Sequence, residues 1–125
     1  MNKYLTKNFT VAEFQCRGTG RCEMDPAFLE KLQLIREDFG KPLYPSSGFR
    51  APEYNNTVSK TGYHGPHTTG HAADLLISGS EAVRLMEIAL RHGITGIGVS
   101  QKGPHRKRFL HFDDLTENRP WTWSY

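Results

Sequence analysis

Apolar residues between positions 25 and 40 recur at intervals of four, three and four, which places them along one face of a helix: Phe28, Leu32, Ile35 and Phe39. Asp25 followed by Pro26 is typical of a helix start, because the aspartate side chain accepts from free backbone amides and proline tolerates the first helical position. Gly40 is typical of a helix end. We therefore predict a long helix whose apolar face packs on the core.

Two further helices are predicted from their start signals. Thr10 and Glu13 have the spacing of a capping box, which indicates a short helix over residues 11–15. Ser80 predicts the start of a helix over residues 81–92. On the apolar side of that helix we expect, at helical spacing, Val83, Met86, Ala89 and Leu90.

Four short segments have the apolar or alternating pattern of strands: residues 43–49, 72–77, 96–100 and 109–113. Residues 51–66 are rich in Asn, Thr, Ser, Gly and Pro, which predicts a long surface loop with one helical turn near Asn55. The segment R-P-W-T-W-S-Y at the end carries aromatic residues at alternate positions. We interpret it as an aromatic tail packed on the sheet rather than a platform that stacks on sugars. The whole order predicts an α+β domain with a small, mostly antiparallel sheet and helices packed on it.

The length of 125 residues fits one domain over residues 1–125, and we expect a monomer. The first residues lack the apolar segment of a secretory signal. No segment approaches the roughly 20 apolar residues that span a bilayer. We therefore expect no membrane span and a chain that is cytoplasmic as synthesised.

The net charge of +3 would allow attraction to a polyanion. The densest basic run, H-R-K-R at residues 105–108, is short and is typical of a solvated turn. A nucleic-acid binder would rest on charge alone, so we expect no nucleic-acid partner. Cys16 and Cys22 lie in a Gly-rich turn, and without a second cysteine pair we expect free thiols rather than a structural zinc site.

Candidate chemistry begins at residues 65–74, G-P-H-T-T-G-H-A-A-D, where His67 and Asp74 lie seven positions apart. Both are ordinary zinc ligands, although such a pair alone also occurs in solvated loops. Strand alternation places Asp74 on one face of its strand. It places His111 and Asp113 together on one face of a later strand. If these strands are neighbours, the Cβ atoms of Asp74 and His111 lie about 5 Å apart. Zinc held by His67, Asp74 and His111 keeps one tetrahedral position open for water, which favours hydrolysis of an amide.

Five motifs occur in order along nearly the whole chain: S-G-F-R at 47–50, P-E-Y-N at 52–55, H-T-T-G-H-A-A-D at 67–74, G-I-G-V at 96–99 and F-L-H-F-D at 109–113. Together they resemble the zinc D-alanyl-D-alanine carboxypeptidase-like peptidases, which are related in fold to hedgehog and lysostaphin-type enzymes and have members in bacteriophages and bacteria. The resemblance implies that His67, Asp74 and His111 bind Zn²⁺. It further implies that Arg50 contacts a carbonyl or carboxylate of the substrate, with Ser47 and Asn55 also in substrate binding.

The chain departs from the family pattern where a general base is expected. Well-understood members have an acidic residue three positions before the last histidine, where this chain has Arg108, and lysostaphin-type relatives have a histidine two positions before it, where this chain has Phe109. Asp113 is our candidate catalytic group. It either takes a proton from the attacking water or orients the imidazole of a ligand histidine. Gly65 stands where the family often has serine.

The leading hypothesis is a zinc peptidase that hydrolyses peptide bonds in bacterial peptidoglycan, as a carboxypeptidase or an endopeptidase, with a role as a phage lytic enzyme. Arg50 then stabilises the substrate or the oxyanion, although most arginines that follow a turn are merely on the surface. Such an enzyme acts on the cell wall after release or as part of a phage particle. The alternative is a zinc-holding binding or structural module of the same fold with little activity, because the usual base is absent.

Overall fold

The computed structural model describes residues 3–125 of the chain. It has four α-helices: α1 Val11–Phe14, α2 Pro26–Phe39, α3 Pro52–Val58 and α4 Gly79–Arg91. Its strands are β1 Pro45–Ser47, β2 Ala72–Leu76, β3 Gly96–Ser100, β4 Phe109–Asp113 and β5 Trp121–Ser124. Short 3-10 helices cover Gly62–His64, Pro66–Thr69 and His105–Lys107. The α+β class is therefore confirmed.

The five strands form one mixed sheet in the order β1-β2-β4-β3-β5. The pairings of β1 with β2, of β2 with β4 and of β3 with β4 are antiparallel, whereas β5 adds to β3 in parallel. The sheet is thus mostly antiparallel, and it has a fifth, parallel strand beyond the four that the sequence pattern predicted. That strand is the aromatic tail, which joins the edge of the sheet instead of packing on its surface.

The helical turn predicted near Asn55 is present as part of α3, but the long loop predicted for the rest of residues 51–66 is wrong, because α3 and a 3-10 helix occupy most of the segment. Pro52 lies in the first turn of α3, where its missing N–H is not needed. Asn55 is fully buried in this helix. A polar composition normally indicates a loop, but here the buried Asn55 side chain hydrogen-bonds to Arg50, Thr61 and the Gly62 carbonyl.

Helix α2 begins and ends as predicted. The Asp25 side chain accepts a hydrogen bond from the Phe28 amide, and Gly40 adopts the left-handed conformation with φ 77° at the C-cap. The capping box of Thr10 and Glu13 is also present at the start of α1.

Helix α4 differs from the prediction in its start and in its buried face. Ser78 rather than Ser80 holds the N-cap position. The buried residues are Ala82, Leu85, Ile88 and Ala89. Val83 and Leu90, which we expected in the core, are 63% and 59% exposed. Apolar residues form two adjacent stripes at helical spacing along α4. The stripe that faces the sheet includes both Leu85 and Ile88.

The two faces of the sheet have different roles. One face packs against α2 and α4 through the apolar side chains of the central strands: Ala73, Leu75, Ile97, Leu110 and Phe112. The alternate residues Asp74, His111 and Asp113 lie on the opposite face. The core thereby supports a polar site on the far side of β2 and β4.

Two smaller findings bear on the sequence predictions. Cys16 and Cys22 are free thiols, as expected. In the described part of the chain, residues 3–125, no helix has the length and apolar character needed to cross a membrane.

We predict that Leu85→Ala lowers the free energy of unfolding by about 2–5 kcal/mol, because it opens a cavity under α4 where Leu85 is 0% exposed. The matched control is Leu90→Ala on the same helix, which we expect to change stability by less than about 0.5 kcal/mol, since Leu90 is 59% exposed. Urea denaturation of both variants measures the difference. Equal losses would mean that the buried face of α4 is misassigned.

Candidate metal centre

The side chains of His67, Asp74 and His111 meet on the polar face of the sheet. Their candidate ligand atoms all lie within 4.8 Å of one another, and the three residues are buried. His67 Nε2 lies 3.2 Å from Asp74 Oδ1, and His111 Nδ1 lies 3.1 Å from the same oxygen. These are the three residues that the sequence pattern indicated as metal ligands, and the structure brings them together.

Strand pairing explains the approach of Asp74 to His111. The two residues are direct partners in the antiparallel ladder of β2 and β4, so their side chains leave the same face at the same level. The sequence analysis required these strands to be neighbours, and they are.

His67 reaches the site from the 3-10 helix that precedes β2. Gly70 ends that helix with φ 79°, and a Cβ there would overlap the backbone carbonyl of Glu23. Only glycine lets the chain turn this closely into β2. Gly65 before the helix also leaves necessary space, because its Cβ would overlap the Thr61 side chain. Thr61 therefore fills the space next to the position where the family often has serine.

Hydrogen bonds on the outer nitrogens determine the tautomers of both imidazoles. His67 Nδ1 lies 2.8 Å from the carbonyl oxygen of Gly48, which can only accept, so this nitrogen carries the proton. His111 Nε2 lies 2.8 Å from Asp113 Oδ2 and donates to that carboxylate. In the neutral imidazoles the inner nitrogens are therefore unprotonated. Two nitrogen lone pairs and the carboxylate of Asp74 then converge on one point, an arrangement that a cation between them would stabilise.

The donor set fits zinc. Two imidazole nitrogens and one carboxylate oxygen are ordinary Zn²⁺ ligands, and three protein ligands are typical of a site at which chemistry occurs. Each histidine also donates its other N–H to a carbonyl or a carboxylate, which is the usual support for a metal-binding imidazole.

Asp113 lies behind His111 and is 0% exposed. Arg119 contacts it with two parallel hydrogen bonds, from Nε to Oδ1 at 2.9 Å and from Nη2 to Oδ2 at 2.8 Å. Burial alone would raise the pKa of Asp113, but hydrogen bonds from His111 and Arg119 hold it well below the usual range. Asp113 is therefore an ionised acceptor whose oxygens are already engaged.

Asp74 is ionised for a similar reason. Burial alone would raise its pKa, but the charge of His67 and the hydrogen bond with His111 lower it well below its usual value. Its second oxygen, Oδ2, faces the guanidinium of Arg50 at 3.9 Å.

Arg50 lies at the edge of the site and is held from two sides. Its backbone N–H donates to the His67 carbonyl at 3.0 Å, and its Nη1 donates to Asn55 Oδ1 at 3.1 Å. The Asn55 amide group also donates to Thr61 Oγ1 at 2.8 Å and to the Gly62 carbonyl. Asn55 is thus fully engaged behind Arg50 and does not line the cavity beside the ligands.

A cavity of about 240 Å³ opens in front of the three ligands. Besides them it is lined by Arg50, Thr61, Phe109, Trp123 and Tyr125, among others. Ser47 lies outside it, in a neighbouring cavity of about 140 Å³ that also includes Arg50. The remaining histidines lie elsewhere. His71 bonds to Asp114 at 2.8 Å and His92 to Asp38 at 2.8 Å, while His64 and His105 are exposed.

The sequence analysis missed three residues of the site: Arg119, Trp123 and Tyr125. The Trp123 ring lies 5.0 Å from the His111 ring, and the Tyr125 ring lines the cavity. The aromatic alternation in the tail was the available signal. It indicates a strand as readily as a packed tail, but it does not reveal which strand is the neighbour.

A comparison with protein-family models matches residues 7–113 to Peptidase M15. The chain belongs to the M15 peptidase family. The match confirms the resemblance to zinc D-alanyl-D-alanine carboxypeptidase-like peptidases that the motifs indicated. A search of curated proteins found no match. M15 membership identifies the chain as a metallopeptidase of a family that is typically zinc-dependent, and its His-Asp-His cluster could bind a metal.

The M15 match ends at Asp113, the last residue of β4. The segment that supplies Arg119, Trp123 and Tyr125 therefore lies beyond the matched residues. These side chains nevertheless contact the site directly.

We predict that the metal-free protein becomes less stable as pH rises above about 6.5, the ordinary pKa of histidine. Burial alone lowers the pKa of His111, but hydrogen bonds to Asp113 and Asp74 outweigh it and raise the pKa above the usual value. A raised folded-state pKa means that protonated His111 stabilises the fold below about pH 6.5, and that this contribution is lost as pH rises through the folded-state pKa. Melting temperatures in chelator measure the effect.

Zinc should reverse this trend, because binding requires neutral imidazoles, so the gain in melting temperature on adding zinc grows over the same pH interval. His111→Gln is the control and should lose the contribution of residue 111 to the metal-free trend. The assignment is contradicted if the stability of the metal-free wild type rises over this interval and that of metal-free His111→Gln rises equally.

Proposed function

We propose that this M15 peptidase is a zinc enzyme that hydrolyses peptide bonds in bacterial peptidoglycan, as a carboxypeptidase or an endopeptidase, and that it serves as a phage lytic enzyme. The observation that carries the proposal is the convergence of His67 Nε2, Asp74 Oδ1 and His111 Nδ1 at the floor of an open cavity. The family match supplies the reaction class, since M15 proteins are peptidases.

In this proposal His67, Asp74 and His111 hold the zinc ion. When bound, zinc supplies Lewis-acid chemistry that activates water and polarises an amide carbonyl. The protein keeps both imidazoles in the tautomers that present lone pairs to the metal, through the Gly48 carbonyl and Asp113. Once both imidazoles are neutral, the site is therefore preorganised for a metal ion.

Arg50 is proposed to bind the substrate carboxylate or the oxyanion that forms during hydrolysis. Its guanidinium lines the cavity beside Asp74, where a second negative group would gain a charge-assisted hydrogen bond. Asn55 contributes to substrate binding indirectly, because it orients Arg50. Ser47 would contact only a substrate that extends into the neighbouring cavity.

Of the two roles considered for Asp113, we propose that it orients His111. A group that takes a proton from water must reach the cavity, whereas Asp113 is fully buried and accepts from His111 and Arg119. It is thus a positioning residue rather than the general base.

We further propose that residues 1–125 form one domain, that the protein acts as a monomer, and that it reaches the cell wall after release or within a phage particle. The proposal of one domain rests on the chain length, and the place of action rests on the proposed peptidoglycan substrate. A polyanion such as nucleic acid has no part in this function.

A second candidate function is a zinc-holding module that binds cell-wall peptides with little hydrolysis. One observation favours it: within residues 3–125, Asp74 is the only acidic side chain that lines the cavity, and Asp74 is a proposed ligand. The usual acidic base of a zinc peptidase is therefore missing from the cavity wall.

Digestion of purified peptidoglycan separates the two candidates. The zinc-loaded protein should release new amino groups, and chelator should abolish the release. Asp74→Asn should lower both zinc content and activity, the latter by at least roughly 100-fold, because it removes the charged ligand. The matched control is Asp38→Asn on the exposed side of α2, which should behave as the wild type. Zinc binding without amino-group release on any cell-wall type would support the binding module.

Replacement of Arg50 tests the substrate side independently of the metal. We expect Arg50→Gln to lower kcat/KM by roughly 100- to 1000-fold while zinc content stays unchanged, because the change removes a donor to developing negative charge. Arg91→Gln on α4, where the side chain is 59% exposed, is the control for loss of positive charge. Loss of zinc by the Arg50 variant would instead assign Arg50 to support of the metal centre.

A further inference from the structure

Strand β3 presents two glycines to the polar face of the sheet, directly beside the ligand strand. Gly98 is the ladder partner of His111 on β4 and of Trp123 on β5, and Gly96 is the partner of Asp113. Neither glycine has positive φ, so backbone conformation does not require glycine at these positions. The reason must lie in the space above the strand.

That space is filled by side chains from beyond β4. A Cβ on Gly96 would lie 2.5 Å from Arg119 Nε and would overlap the Asp113 carboxylate. A Cβ on Gly98 would lie 2.6 Å from Trp123 Nε1. Because the two glycines have no side chains, Arg119 and Trp123 can pass over β3 and reach the side chains of β4.

The crossing side chains close a ring of contacts around His111. Arg119 pairs with both oxygens of Asp113, and Asp113 accepts from His111 Nε2. The Trp123 ring lies 5.0 Å from the His111 ring, and the Arg119 guanidinium lies over the indole of Trp123 at 5.2 Å. Each member of the ring thus restrains its two neighbours.

The ionisable groups of the ring are also largely buried, whereas Trp123 is half-buried. The side chains of His111, Asp113 and Arg119 are 2%, 0% and 11% exposed. Arg119 neutralises a carboxylate that would otherwise be buried without a cation, and its planar fork determines the direction of both oxygens. The orientation of the His111 imidazole therefore depends on residues six and more positions after the end of the ligand strand.

We propose that Arg119 and Trp123 are positioning residues of the metal centre, which hold His111 with Nε2 protonated and Nδ1 directed at the metal, and thereby set the affinity for zinc. The inference rests on the proposed zinc site and extends it to a segment outside the family match. Neither residue touches the metal or the reacting atoms in this scheme. Their effect is transmitted through Asp113 and His111.

Zinc affinity of the full chain tests the proposal. In competition with a chromophoric chelator, Arg119→Gln should bind zinc roughly 10- to 100-fold more weakly than the wild type, the usual effect of removing a partner of a ligand histidine. Arg119→Lys keeps the charge without the fork and should be intermediate. Arg91→Gln on α4, where the side chain is 59% exposed, is the matched control and should bind as the wild type.

Imidazole ¹⁵N NMR supplies a readout that a purely structural role would not change. In the zinc-loaded wild type we expect His111 to be protonated at Nε2 and His67 at Nδ1. In Arg119→Gln the Nε2 proton of His111 should exchange faster with water. The reverse tautomer of His111 in the wild type would overturn the proposal without any variant.

The outcomes distinguish this inference from the proposed function. A wild type that binds no zinc overturns the metal site and the inference with it. A wild type that binds zinc, together with a folded Arg119→Gln of equal affinity, overturns the inference alone. Should Arg119→Gln fail to fold, Arg119→Lys and Trp123→Leu decide, and wild-type affinity in both overturns it.

Discussion

The antiparallel pairing of β2 with β4, in the register that sets Asp74 opposite His111, is the interaction on which the rest of the structure depends. Successive residues of these strands alternate between the core and the metal centre. A slip of one residue would turn Leu110 and Phe112 toward the polar face and carry His111 into the core. Each buried Leu or Phe stabilises the fold by about 1.5–3 kcal/mol, so the apolar core maintains the register that the ligands need.

The buried polar groups of the site have partners that offset the cost of their burial. His67, Asp74, His111 and Asp113 are all buried, and in the described part of the chain no buried side-chain nitrogen or oxygen lacks a hydrogen-bond partner. Arg50 faces Asp74 and Arg119 pairs with Asp113, so each buried carboxylate has a cation nearby. The inner nitrogens of His67 and His111 both face Asp74 Oδ1, at 3.2 and 3.1 Å, and these are the atoms that could hold a metal ion.

Residues from separate parts of the chain support the site. The Gly48 carbonyl sets the tautomer of His67, Asp113 sets that of His111, and Asn55 orients Arg50. Glycines at positions 65, 70, 96 and 98 allow neighbouring segments to approach the site closely, because a Cβ at each would overlap a neighbouring group. This arrangement holds the three candidate metal ligands and the Arg50 guanidinium in fixed positions around the cavity.

The sequence by itself determined the features that depend on neighbours along the chain. The caps and apolar face of α2, the alternation of Asp74 with Ala73 and of His111 with Leu110, and the ligand types all follow from local spacing. Local spacing also indicates which side chains share a face of a strand. It does not say which strands are adjacent, so the meeting of Asp74 and His111 remained conditional until the pairing was known.

Only the tertiary structure decided the features that depend on contacts between distant residues. The buried face of α4 depends on which of its two apolar stripes meets the sheet. Helix α3 forms in a loop-like sequence because Asn55 finds its hydrogen-bond partners in the fold. The tail became β5 because β3 has a free edge, and its glycines admit Arg119 and Trp123 to the site. Such choices depend on the space left by other segments, and that space is a property of the packed chain rather than of any stretch of it.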